Sequence, residues 1–172
     1  GIKGTGMAAL AELLADRGAI IDGSDIPEVF YTDAILRQAG ISWHEGFSEK
    51  NLDQLEQIDA VIHSPAYDRT THPELMEADR RGLPVLTYTQ ALGELSRAQP
   101  SVGISGVHGK TTTTALVATL VQALDLHGSV LAASALANVG GRATLLNGPE
   151  FFAAETCEYR RNFLDFCPAV IV

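Results

Sequence analysis

Long apolar runs, cationic clusters and cysteine are what this 172-residue chain has least of, and each shortage removes a class of function. No stretch approaches the roughly 20 consecutive apolar residues of a membrane-crossing helix, so no membrane is expected as a partner. Twelve Lys and Arg stand against 21 Asp and Glu, a formal net charge of −9. Nucleic-acid backbones are gripped by clustered Lys and Arg, so no nucleic acid is expected either. The two cysteines, Cys157 and Cys167, fit no zinc spacing and read as small buried or half-buried hydrophobes in a reduced, cytoplasmic setting. The start has no basic segment leading into an apolar one and does not read as a secretory leader. Repeats and low-complexity tracts are missing too. What remains is 46% hydrophobic, the proportion of an ordinary globular protein, and long enough for one large domain or two small ones.

Against that background one stretch stands out: residues 103–114 read Gly-Ile-Ser-Gly-Val-His-Gly-Lys-Thr-Thr-Thr-Thr. A short apolar run at 102–104 precedes it. A helical pattern follows, with Leu116, Val117, Leu120, Val121 and Leu124 expected as its apolar stripe. Strand, glycine loop ending in Gly-Lys-Thr, then helix is the order of a phosphate-binding loop. Glycines let backbone N–H groups turn toward a polyphosphate, and the helix start adds about half a positive charge there. Lys110 would neutralise the outer phosphates, and the Thr111 hydroxyl would ligate Mg2+. The expected ligand is therefore ATP with Mg2+, held by Gly106, Val107, His108, Gly109, Lys110, Thr111 and Thr112, with Lys110 the catalytic candidate. The common pattern places glycine where this chain has Ile104, so the loop is the shorter Gly-x-x-Gly-Lys-Thr form. A glycine turn that merely caps a helix is the competing reading. His108 either touches the nucleotide or faces solvent.

The rest of the chain alternates strand and helix signals. A first glycine loop, Gly-Ile-Lys-Gly-Thr-Gly at 1–6, opens a helix with apolar Met7, Leu10, Leu13 and Leu14. Strands are expected at 19–21, 58–63, 85–87, 129–133, 151–155 and 169–172, and further helices at 32–38, 73–81 and 88–97. This pace predicts an α/β fold with mostly parallel sheets: a Rossmann-like domain over 1–97 and a partial phosphate-loop ATPase domain over 101–172. The polar, proline-bearing segment 98–101 marks the boundary. The first loop lacks a strand ahead of it, and the chain stops in an apolar run after Pro168, so a piece of a longer protein is expected.

Three further places carry candidate chemistry. The backbone of Gly4, Thr5, Gly6 and Met7 would cradle a pyrophosphate, and acids at the end of the next strand, Asp22 and Asp25, sit where dinucleotide folds bind a ribose. The competing reading gives these glycines a packing role only. Ser64-Pro65-Ala66-Tyr67 ends a strand where parallel sheets bind ligands, and is equally readable as a plain turn. Glu155 tips the apolar run Phe-Phe-Ala-Ala-Glu and is, with Thr111, the magnesium-ligand candidate; a capping or salt-bridged acid is its alternative. Glu158, Arg160 and Arg161 read as a solvated face.

Taken in order, Gly1 to Met7, Gly23-Ser24-Asp25, Ser64 with Ala66, Pro73-Glu74, 106–114 and Ala154-Glu155 resemble the landmarks of the Mur ligases, ATP-dependent amide-forming enzymes of peptidoglycan synthesis. The histidine before Gly-Lys-Thr is similar to the branch whose members join L-alanine, or a recycled murein tripeptide, to UDP-N-acetylmuramate. The resemblance implies that Gly4, Thr5, Gly6 and Met7 hold the UDP diphosphate, that Ser24 and Asp25 lie near the uridine, and that Ser64 and Ala66 contribute to the same site. It implies two steps: the muramoyl carboxylate attacks the γ-phosphate of ATP, and the amine of L-alanine then displaces phosphate from the acyl phosphate. Val107, Phe47, His72, Cys157, Tyr159 and Arg160 depart from the branch pattern. The remaining catalytic groups of the family are expected beyond Val172, so no ligase turnover is expected from these 172 residues by themselves. A nucleotide sensor of NAD-binding type is the reading from another class; Asp22 favours it and Gly-Lys-Thr counts against it. Nothing in the sequence sets an oligomeric state.

Overall fold

The computed structural model describes residues 1–156 and 164–172. Helix α1 (Thr5–Asp16) is rich in Ala and Leu, which lose little on entering a helix. It is wedged between two cores. Ala9, Leu10 and Leu13 pack with Ala91, Leu92, Leu131, Ala143, Phe152 and Ala154 on one side. Ala8 and Ala11 pack with Ile2, Leu36 and Ile41 on the other. Strands β1 (Asp22–Asp25) and β2 (Ser42–Glu45) pair in parallel, with α2 (Thr32–Gln38) crossing between them. Strands β3 (Val61–His63) and β4 (Val85–Thr87) form a second parallel pair joined through α3 (Pro73–Arg80). Pro73 stands in the first helical turn, where its missing N–H is harmless. Thr87 and Gln90 exchange capping bonds at the start of α4 (Tyr88–Ala98).

The second half builds one five-stranded sheet in the order β7-β6-β8-β5-β9. Its members are β5 (Ser101–Ile104), β6 (Gly128–Leu136), β7 (Arg142–Leu146), β8 (Phe151–Glu155) and β9 (Val170–Ile171). All neighbours run parallel except β6 and β7, a hairpin. Helix α5 (Lys110–Ala123) covers one face through Ala118 and Val121. Helices α1 and α4 cover the other through Leu10, Leu13 and Leu92, each buried Leu worth about 1.5–3 kcal/mol. The α/β architecture with mainly parallel sheets is the expected one.

Several details differ from expectation. The strand expected at 19–21 lies instead at Asp22–Asp25, because Ile20 is 86% exposed and the backbone that β2 pairs with is the polar stretch after it. The expected α5 stripe is split. Val117 and Val121 face the core, whereas Leu116, Leu120 and Leu124 are 61%, 55% and 63% exposed. The face toward the sheet is completed by Thr114 and Ala118, whose small side chains let the helix lie close. Cys167 is exposed, not buried; its amide, not its packing, is its main contact, donating to Ser96 Oγ at 2.9 Å. Cys157, Glu158, Tyr159, Arg160 and Arg161 lie outside the described residues.

Candidate functional site

Strand β5 delivers the loop 105–109 to the surface at its C-terminal end. Ile104, where the longer loop pattern has glycine, is the last residue of that strand and is buried. Gly106 (φ 146°) and Gly109 (φ 84°) take backbone conformations that side chains oppose, which is why glycine stands at both. Gly109 is the N-cap of α5, so the helix begins on Lys110 and its first bond is Thr113 N–H to the Gly109 carbonyl at 2.9 Å. The amides of Lys110, Thr111 and Thr112 precede that bond and find no acceptor within the helix. The Lys110 ammonium folds back across the loop and donates to the Gly106 carbonyl at 2.6 Å. His108 and Val107 are exposed on the rim.

Register does the rest. Parallel β5 and β8 pair Ile104 with Glu155, which sets that carboxylate beside the loop's origin. The Thr111 hydroxyl donates to Glu155 Oε2 at 3.4 Å. Glu155 Oε1 is buried and has no hydrogen-bond partner among the described residues. A buried carboxylate oxygen in that condition needs a cation or a donor. A hydroxyl and one carboxylate, with phosphate oxygens and water completing the shell, are the ligands magnesium takes. Thr111 and Glu155 therefore fit a divalent cation. Among the described residues no group of three or more His, Cys, Asp or Glu offers an all-protein metal cage.

The first loop is built differently. Residues 1–3 run beside β1, with the Ile2 amide donating to the Ser24 carbonyl at 3.1 Å and the Lys3 amide to Asp25 Oδ2 at 2.6 Å. Gly4 caps α1, and the Ala8 amide closes the first turn onto its carbonyl at 2.8 Å, leaving the amides of Thr5, Gly6 and Met7 without acceptors in the helix. Three of the chain's four tyrosines border this loop. A Cβ at Gly1 would lie 2.5 Å from the Tyr67 ring, and one at Gly6 would lie 3.3 Å from the Tyr88 ring. The Tyr31 hydroxyl donates to Thr5 Oγ1 at 3.0 Å. A side chain at Gly1 would overlap the Tyr67 ring, whereas one at Gly6, whose φ is not positive, would press more lightly on Tyr88.

The neighbouring side chains divide into those facing the loop and those facing inward. The buried Ser24 hydroxyl donates to Glu74 Oε2 at 2.5 Å, and Asp25 accepts from the Ile26 amide at 2.8 Å as well as from Lys3. Both therefore brace the end of β1 from within. Asp22 opens that strand instead of ending it, and it pairs with His44 at 3.0 Å, so the ribose-binding position expected for it is not where it stands. Ser64 follows β3, its hydroxyl accepting from the Ala66 amide at 3.3 Å, and Ala66 is exposed. Beside them Phe47, Tyr67 and His72 stack edge to face, with centroids 4.5–5.0 Å apart. Burial, then the charges of Asp25 and Glu74, hold the Tyr67 phenol above its ordinary value; burial holds the His72 imidazole below its own. Both ring nitrogens of His72 are buried without a partner among the described residues. Lys3, Tyr31, Glu74 and His72 were not among the site residues named from sequence, although Lys3 lies in the first glycine loop, Glu74 in a family landmark and His72 among the departures from the branch pattern; Tyr31 carried no signal.

Comparison with known proteins bears on the family and the fold. A model described as Mur ligase family, catalytic domain, matches residues 1–100. UDP-N-acetylmuramate–L-alanine ligase of Treponema pallidum is 55% identical over 172 residues, all of this chain and 35% of its own length. The chain thus spans about a third of the length of the curated relatives it matches. The structure of UDP-N-acetylmuramate:L-alanyl-gamma-D-glutamyl-meso-diaminopimelate ligase from Neisseria meningitides superposes with a TM-score of 0.85 at 25% identity, over 99% of this chain and 57% of that one. That of UDP-N-acetylmuramate-alanine ligase from Thermotoga maritima gives 0.83 at 28% identity, over 99% and 39%. Loop, carboxylate and matches point one way: the chain belongs to the Mur ligase family.

Proposed function

We propose that this chain forms the sugar-nucleotide and ATP sites of a ligase that joins L-alanine to the carboxylate of UDP-N-acetylmuramate, in cytoplasmic peptidoglycan and cell-wall synthesis. The observation that carries the ATP half is the set Lys110, Thr111 and Glu155, with a buried carboxylate oxygen that has no partner among the described residues at the mouth of a glycine loop. Mg2+ held by Thr111 and Glu155 would neutralise phosphate charge. The amides of Lys110, Thr111 and Thr112 and the Lys110 ammonium would hold the phosphates in line for attack and stabilise the charge that spreads over the transferred group. Gly106, Val107, His108 and Gly109 would form the wall of that site. The open amides of Thr5, Gly6 and Met7, after Gly4, would hold the diphosphate of the sugar nucleotide. Ser24 and Asp25 would support the uridine end from beneath, and Ser64 and Ala66 would border the sugar. We retain the division into a sugar-nucleotide unit, 1–97, and an ATP unit, 101–172.

L-alanine is favoured over a murein tripeptide because the relative at 55% identity carries the L-alanine name, whereas the tripeptide ligase structure stands at 25%. Calorimetric titration of the chain with UDP-N-acetylmuramate, with ATP and Mg2+, and with NAD tests the reading. Binding of the first two is expected. Tight NAD binding with no sugar-nucleotide binding would overturn it in favour of a sensor. Turnover of the full-length enzyme on L-alanine against the tripeptide decides the amino substrate.

A further inference from the structure

Every polar group of Lys3 is turned toward residues 25–33. Its amide donates to Asp25, its carbonyl accepts the Thr32 hydroxyl at 2.5 Å, and its ammonium donates to the carbonyls of Ile26 and Glu28 at 2.9 Å each. The ammonium also lies 3.7 Å from the Asp33 carboxylate and 5.9 and 5.5 Å from the ring centroids of Phe30 and Trp43. The side chain is 1% exposed, and a lysine at that depth persists only with its donors and charge matched. So this ammonium does not point at an anion over the glycine loop. It is a post around which the segment 26–33 wraps.

The wrap has a consequence at the helix start. It carries Tyr31, whose hydroxyl reaches Thr5, the first residue of α1, while the residue stays 49% exposed. A phenol beside helix-start amides that have no acceptor within the helix can turn its proton to a phosphate oxygen, and it supplies a neutral donor where Asp25, Glu28 and Asp33 make the surroundings acidic.

We propose that Tyr31 is a binding residue for the diphosphate of the sugar nucleotide and that Lys3 is the positioning residue that sets it there. The inference rests on the reading of the first loop as the sugar-nucleotide site. The test is calorimetric titration of the wild-type chain, Tyr31→Phe, Lys3→Met and the double variant with UDP-N-acetylmuramate, with uridine, and with ATP and Mg2+. Tyr31→Phe is expected to weaken UDP-N-acetylmuramate about tenfold, leaving uridine and ATP affinities unchanged. Lys3→Met is expected to weaken it at least as much, and the double variant no further, because Lys3 acts through Tyr31. Unchanged sugar-nucleotide affinity in Tyr31→Phe, or full additivity in the double variant, overturns the inference alone. A wild-type chain that binds no UDP-N-acetylmuramate overturns the reading of the site with it. If Lys3→Met does not fold, Tyr31→Phe still decides, since it removes one oxygen from a half-exposed residue.

Discussion

The Lys110 ammonium, which donates to the Gly106 carbonyl, would form charge-assisted bonds to phosphate oxygens when the loop takes a nucleotide. Those bonds favour binding, and Lys110→Ala removes them. ATP affinity should fall by about a hundredfold or more, with sugar-nucleotide affinity unaltered, as calorimetry would read. Glu155→Gln keeps the shape and discards the charge that a cation needs. The wild-type chain should bind ATP more tightly as Mg2+ is raised, and the variant should not respond; an undiminished Mg2+ dependence would remove Glu155 from the site. A third residue reports on acid stability. Hydrogen bonds from Arg80 and Arg81 pull the Glu77 carboxyl from 4.5 down to about 2. A folded-state value below the free one means stabilisation that is whole above pH 4.5 and lost as pH falls toward about 2. The gap in urea midpoint between the wild-type chain and Glu77→Gln should close across that window.

Elements repeat the same logic with faces in place of atoms. Leu13 of α1 is fully buried and Leu120 of α5 is mostly exposed, although both belong to apolar stripes at helical spacing. Leu13→Ala should cost about 2–5 kcal/mol and Leu120→Ala less than about 0.5 kcal/mol in chemical denaturation. Gly93, inside α4, faces the Asp165 carbonyl so closely that a Cβ there has no room. Gly93→Ala should therefore destabilise by about 1–3 kcal/mol despite alanine's better helix propensity. These contrasts also mark what the sequence could disclose. Strand β5, the loop, α5 and β8 were legible because an apolar run, glycines and a helical period each have a single local cause. Helix α5 is apolar on both sides, so periodicity alone could not choose its buried face. Strand β2, Ser-Trp-His-Glu, has no alternation to read and exists because β1 pairs with it. Strand β7 was missed although Gly140 and Gly141, at φ 67° and 78°, announce the turn before it. Lys110, Thr111 and Glu155 could be picked from the chain, but Tyr31 and His72 meet their sites through contacts that no local pattern encodes.

At the scale of the molecule, α1 belongs to both halves. It starts the first loop and is buried in the core of the sheet that carries the second. Its Glu12, buried, pairs with Arg142 on β7. Arg142→Met would strand that carboxylate, and a loss of about 3 kcal/mol is expected, recovered in large part by the double variant Glu12→Leu/Arg142→Met. Because the core is shared, scanning calorimetry should record one unfolding transition whose calorimetric and van't Hoff enthalpies agree; two separate peaks would contradict it. The wedge of α1 also limits how such proteins are recombined. A hybrid that imports everything before residue 98 from a distant relative brings a new underside for α1 and α4, and must bring matching occupants for Leu131, Ala143, Phe152 and Ala154. The seam a gene engineer would cut along the chain is therefore not the seam along which the protein comes apart.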